Sequence, residues 1–217
     1  MNETWIEKKT IDKGIAHSKV AVLGLLADLR REPTQYDLRL LHRLVKNIQP
    51  DLLCAEIHPD DWQFGDLSTV WLEYRETLLP LARRTDIIVV PVGGSARSEI
   101  KLPEDIPLVR LRRLAVQLIN SLQRRFTRLA RHPDDLNGGA LDTFCDGRCA
   151  LALWVSGSQA RQAWEEVNNT ILNNIITAVR RDPGRRVLVT VDCRRRRWLM
   201  GHLCELSEIE LLTYHTL

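Results

Sequence analysis

The stretch "VLVTVDCRRRRWLMGHL" (Val187 to Leu203) sets a strand against a charge problem. Val187 to Val191 is an apolar, β-branched run without polar alternation. A strand of that kind is buried on both faces, as in a parallel sheet covered by helices. Four adjacent arginines, Arg194 to Arg197, then open a predicted helix. Adjacent cations repel, so water, a polyanion or nearby carboxylates must hold them. A solvated helix start, a nucleic-acid patch and the inside of a pocket are the three destinations to separate.

Working outward, the same kind of strand recurs. Segments 20–26, 52–57 and 87–92 ("VAVLGLL", "LLCAEI", "IIVVPV") are short apolar runs, and they should pair with 187–191 mainly in parallel. A helix opens at Pro33 and Thr34, carries Leu38, Leu41, Leu44, Val45 and Ile48 on one face, and stops at Pro50. A second helix spans Leu67 to Arg84, with Pro80 as a kink. Leu108 to Arg131 reads as a long helix with Leu111, Ala115, Leu118, Leu122 and Phe126 inward and Arg112, Arg113, Arg124 and Arg128 wet. His132 to Cys149 is turn-rich, Gln159 to Arg180 is helical, and 209–214 is a last strand at an edge. The fold class is therefore α/β: a mainly parallel sheet flanked by helices. We read residues 1–217 as one domain with a helical insertion at 100–180.

Bulk composition narrows the function classes. The 217 residues carry a net charge of only +3, so a nucleic-acid partner would have to be argued from local clusters such as Arg180, Arg181, Arg185 and Arg186. Charge-rich helix faces are usually solvated, and nucleic acid is disfavoured. The start is polar, and no apolar run approaches a membrane span. With an odd set of five cysteines, this points to a reducing, cytoplasmic setting without a membrane partner; a homo-oligomer is left open.

In open parallel sheets, ligands bind beyond the carboxyl ends of the strands. Those ends deliver Ala27 and Asp28, Glu56 and His58, Gly93 to Ser95, and Asp192 with the arginines. Glu56 closes an apolar strand, where a charge needs a partner unless the strand end is solvated. His58 precedes Pro59 and reads as a loop cap before it reads as a ligand. Gly93-Gly94-Ser95 is a weak anion nest and more simply a turn. Cys145 and Cys149 have no second pair at zinc spacing. Cys193 does not fit a phosphatase loop: C-x5-R would need arginine where Leu199 stands.

Five pieces in order carry a resemblance: "VAVLGLLAD", "PDLLCAEIHPD", "LEYRETLLPL", "DIIVVPV" and "VLVTVDCRRRRWL". Over the first hundred residues and the last thirty, the chain resembles the TraB/PrgY-like proteins, in the wider group of erythromycin esterases and ChaN-like proteins. The resemblance implies a parallel α/β fold with a hydrolase-like, metal-dependent cleft. It places Glu56 on the strand-two glutamate and Glu73 and Tyr74 on the helix "EY". It also puts Ala27 and Arg195 where the family has histidines, and Asp192 where it has glycine. Alanine cannot ligate a metal, and arginine is a permanent cation.

The expectation is a degenerate, non-metal member of that group, without cofactor, that binds a small anionic ligand or partner. Glu56 and Glu73 stand at the former catalytic centre, with Tyr74, Asp192, Arg195, Asp28 and His58 around the ligand. Arg195 or a neighbour should contact Glu56 or Glu73, and the other arginines should point to solvent. Two alternatives stay open: an active hydrolase with relocated acidic, His and Cys groups, or an interaction module using the Arg-rich helices. Whether the chain is an enzyme is left undecided.

Overall fold

Parity along the strands explains the architecture. In the computed structural model, which describes residues 17–27, 37–94 and 130–217 and the isolated helical positions Leu114, Gln117, Leu118 and Ser121, five strands form one sheet. They are β1 (Ser18–Leu25), β2 (Leu52–Ala55), β3 (Ile88–Pro91), β4 (Arg186–Asp192) and β5 (Ile209–Leu212). Their order is β3-β2-β4-β1-β5, and every pairing is parallel. Ala21, Leu23, Leu25, Leu53, Ala55 and Leu188 bury one face; Val20, Val22, Leu52, Cys54, Val187, Val189 and Val191 bury the other. Both faces are apolar because both are covered, which is why the strands show no alternation.

Helix α1 (Leu38–Ile48) covers the first face with Leu41, Val45 and Ile48. Its cap is Asp37, whose carboxylate accepts from Arg39 N–H at 2.9 Å. A π-helical turn (Tyr74–Leu78) runs into α3 (Leu79–Ala82) on the same face, after the short α2 (Pro59–Phe64). Pro80 accounts for the widened turn: it has no N–H, and its ring would crowd the carbonyl four residues back. The continuous helix expected over Leu67 to Arg84 is thus broken into this shorter, irregular element.

Beyond β3 lie α4 (Pro133–Leu136), α5 (Ala140–Ser156) and α6 (Ser158–Arg181). The turn-rich reading of His132 to Cys149 is corrected, since most of that segment is α4 and α5. Helix α6 lays Val167, Ile171, Ile175, Ala178 and Val179 on the second sheet face, beside α7 (Cys193–Leu203) with Leu199 and Leu203. α5 packs against α4, α6 and α7. β5 pairs with β1 at the edge of the sheet. No described helix is long and apolar enough to cross a membrane.

Leu118 departs from the amphipathic reading. It is helical but 63 % exposed, with Leu114 at 62 %. Leu111, Ala115, Leu122, Phe126 and the arginines of that helix lie outside the described residues. A Leu118→Asp change is therefore expected to move stability by no more than about 0.5 kcal/mol, as for an ordinary surface substitution. Urea denaturation checks this; a loss above about 2 kcal/mol would show that the position is covered in solution.

Candidate functional site

The carboxyl ends of β2 and β4 are neighbours, which brings Glu56 beside Asp192. Glu56 Oε2 accepts from the Asp192 N–H at 2.8 Å. Glu56 Oε1 lies 2.8 Å from Arg195 Nε. That N–H does not aim along the line between them, so the contact is an ion pair and not a straight hydrogen bond. The Arg195 fork also donates from Nη1 to Asn168 Oδ1, and its guanidinium stacks over Trp164, 4.3 Å from the ring centroid. The contact expected between residue 195 and Glu56 is present.

No loop separates β4 from α7. Asp192 caps the helix, accepting from the Arg194 N–H at 2.9 Å and the Arg194 Nε at 2.8 Å, with a further contact from Nη2. Cys193, Arg196, Leu199 and Leu203 form the buried stripe of α7. Arg196 thus points inward. It donates to Asp142 Oδ2 at 2.9 Å and to the carbonyls of Val22 and Asn137, both at 3.3 Å. Arg197 lies outermost, 3.7 Å from Asp142 and 3.8 Å from Asp146. The expectation that the remaining arginines point to solvent holds for Arg197, which is exposed, and is corrected for Arg196, which is buried, and for Arg194, which is only partly exposed. Arg194 and Arg195 pair with Asp192 and Glu56, while α5 supplies Asp142 to Arg196 and, at longer range, Asp142 and Asp146 to Arg197. Spreading the cations over separate acids avoids the single crowded pocket that made inward packing look prohibitive.

The electrostatics follow the burial. For Glu56, desolvation outweighs Arg195 and holds the carboxyl above its ordinary value. Burial also pushes Asp192 upward, but Arg194 and then Arg195 more than offset it, so Asp192 lies low and ionised. Arg148, from α5, is buried; desolvation and then the charge of Arg194 pull its affinity for a proton down. Sequence reading missed Arg148, Asp142, Asn168 and Trp164, all on the helices before β4.

Tyr74 is fully buried and joins the two strand ends. Its hydroxyl donates to the Thr190 carbonyl at 2.7 Å and accepts from the Glu56 N–H at 2.8 Å. Burial first, and the Glu56 carboxylate second, hold the phenol protonated. Glu73 precedes it and is also fully buried. Tyr74 therefore acts as a strand clamp, not as a ligand contact. The His58 Nδ1 caps α2, accepting from Asp60 N–H at 3.2 Å. Asp28 lies outside the described residues. Ala27 is buried and holds φ at +52°, in the left-handed region, at the end of β1. Gly93 is a close approach rather than an anion nest: a Cβ there would lie 2.6 Å from the Ile57 backbone, and its N–H already donates to Ile57 O.

Comparison of the chain with protein-family models, curated proteins and solved structures found no match.

The donor set does not suit a metal ion. Both Glu56 oxygens are engaged, one of them by a guanidinium that would repel a cation, and Ala27 offers no ligand. Among the described residues, no three His, Cys, Asp or Glu side chains gather in a metal-binding group. In the second arginine cluster, Arg180 pairs with Glu208 at 2.7 Å and Arg181 with Asp182 at 2.9 Å. Arg186 caps α1 through the Ile48 and Gln49 carbonyls, and Arg185 is exposed. Three of those four cations are thus paired or hydrogen-bonded within the chain.

Proposed function

We propose that this chain is a TraB/PrgY-like scaffold without metal chemistry, a pseudoenzyme whose strand-end cleft binds a small anion. One observation carries the anion: Arg194 and Arg195 follow one another at the carboxyl end of β4, where ligands bind in an open parallel sheet, and Arg148 is buried on α5, the helix packed against α7. Cations gathered at one strand end favour a shared anion, and guanidiniums match carboxylate or phosphate oxygens in planar, paired geometry. Arg194 keeps part of its side chain in solvent, as does Arg195 above Trp164, so a ligand can reach them. The Glu56–Arg195 pair and the clamped Tyr74 support the loss of catalysis. A nucleophile or base at Glu56 would first have to break its ion pair, and the Tyr74 hydroxyl has both its donor and an acceptor site engaged.

The test is calorimetry and thermal unfolding with inorganic phosphate, with acetate, and with zinc before and after chelator. Phosphate at about 100 times its dissociation constant should add about 2.7 kcal/mol and raise Tm by about 5 to 10 °C. Arg148→Met should remove that gain, and zinc should give no chelator-reversible shift. Absence of anion binding, or a chelator-sensitive site that depends on Glu56, overturns the proposal; the second result favours a working hydrolase.

A further inference from the structure

Cys193 and Cys145 are on different helices and 48 residues apart, yet their sulfurs lie 3.6 Å from each other. Both are buried, and all five cysteines are thiols. Their meeting is built from both sides. On α7, Cys193 follows the Asp192 cap directly, at the head of the buried stripe. On α5, Cys145 lies on the face that also buries Asp142, Arg148 and Cys149. Gly24, at the end of β1, leaves the room: a Cβ there would lie 3.0 Å from the Cys193 Cα and 3.2 Å from its Cβ. The Arg196–Asp142 ion pair, 2.9 Å, ties the same two helices one turn away. Two thiols held in contact by the fold need approach by only about 1.5 Å to reach disulfide bonding distance.

We propose that Cys145 and Cys193 form a dithiol–disulfide modification site that locks α5 to the start of α7. The co-reactant is a low-molecular-weight disulfide. One protein thiol loses its proton and attacks the small disulfide, forming a mixed disulfide and releasing one small thiolate. The second protein thiol, as its thiolate, then attacks the protein sulfur of the mixed disulfide and expels the other small thiolate. The two protein thiols lose two electrons and two protons; the small disulfide gains both and leaves as two thiols. In the resting protein the Cys193 thiol is held protonated, first by its hydrogen bond with Cys145 and then by burial. The exchange therefore runs slowly and through opening of the α5–α7 contact, unlike that of an exposed reactive thiol. Cys149, one helical turn from Cys145, and Cys54, on β2, are internal controls: burial raises their thiols to about 11 and about 12.

The experiment uses the whole chain carrying Cys204→Ser, which removes the one exposed thiol. The protein is incubated with glutathione disulfide, quenched with acid, digested and mapped by mass spectrometry, with thiols counted in denaturant. The expected result is a peptide linking residues 145 and 193, a count falling from four thiols to two, and a Tm raised by about 5 to 10 °C, since the bond closes a long loop of the unfolded chain. Reduction should return the starting Tm. Cys193→Ser should give no linked peptide while keeping the far-ultraviolet circular dichroism of the parent. An unchanged thiol count, a lasting glutathione adduct, a link through Cys149 or Cys54, or a Tm that does not rise would each overturn the site. Since the probe is a disulfide and the readout a covalent link, failure here is separable from failure of phosphate binding.

Discussion

Arg196→Ala is expected to destabilise the protein by about 3 to 5 kcal/mol, the range for removing one partner of a buried ion pair. The loss falls on Asp142, a 3 % exposed carboxylate that would keep only Arg197, at 3.7 Å and half in water. Two carbonyls, those of Val22 and Asn137, lose their donor at the same time. Asn137 is itself part of the joint: its side chain accepts from Gly24 N–H and donates to Gly24 O, so α4 and the end of β1 loosen together. Asp142→Asn in the Arg196→Ala background should recover about 1 to 3 kcal/mol by removing the stranded charge. Urea denaturation of the wild type, both single mutants and the double mutant measures the coupling. Additive losses, or a single-mutant loss below about 1 kcal/mol, would mean that the α5–α7 joint is not held by this pair.

The inward course of Arg196 was not legible in the sequence. Its place is visible afterwards: it lies three residues after Cys193 and three before Leu199, on the stripe that α7 buries. What hid it was the cost of four cations in one pocket, reckoned without knowing which acids were near. Those acids belong to α5, and α5 was itself obscured. Its buried face carries Asp142, Cys145, Arg148 and Cys149, while Leu151 and Trp154 are 48 % and 71 % exposed. An apolar-periodicity argument reads such a helix inside out, because paired charges stand where leucines normally do. The strands were legible for the converse reason. β2 and β3 carry no charged or hydroxyl side chain, β1 is apolar from Val20 onward, and in β4 the polar contacts are confined to Thr190 and the terminal Arg186 and Asp192. The predicted stripe through Leu118 shows the same limit: Leu118 obeys the period and is nevertheless exposed. Periodicity identifies a stripe, not what covers it. Glu56 was legible because a carboxylate ending a buried strand must find a partner wherever the chain goes next.

Arg195→Ala is expected to destabilise the fold by about 3 kcal/mol near neutral pH, and by progressively less as the pH falls. Arg195 gives Glu56 its cation, Asn168 a donor and Trp164 a stacked guanidinium, so the truncation removes three contacts at once. The pH dependence comes from Glu56. Burial already holds its folded carboxyl above the unfolded value of 4.5, even with Arg195 beside it. In the window between that value and the raised one, the folded state binds more proton than the unfolded state. Stability from this group is thus largest at acid pH and declines as the pH rises through the folded value. Asp192 has the opposite shift, below 3.8, and stays ionised throughout the window, so it adds no slope there. Without Arg195 the raised value should climb further, extending the decline to higher pH and making the mutant fall away from wild type as the solution becomes more basic. Glu56→Gln in the same background removes the group that titrates. It should flatten the profile and restore part of the loss while the Asp192 N–H keeps an acceptor in the amide oxygen. Guanidinium-free denaturation curves at several pH values, on the four proteins of the cycle, read both the coupling and the slope. If the Arg195→Ala loss is independent of pH, Glu56 is not the charge it balances, and the guanidinium's role in the cleft reduces to packing on Trp164.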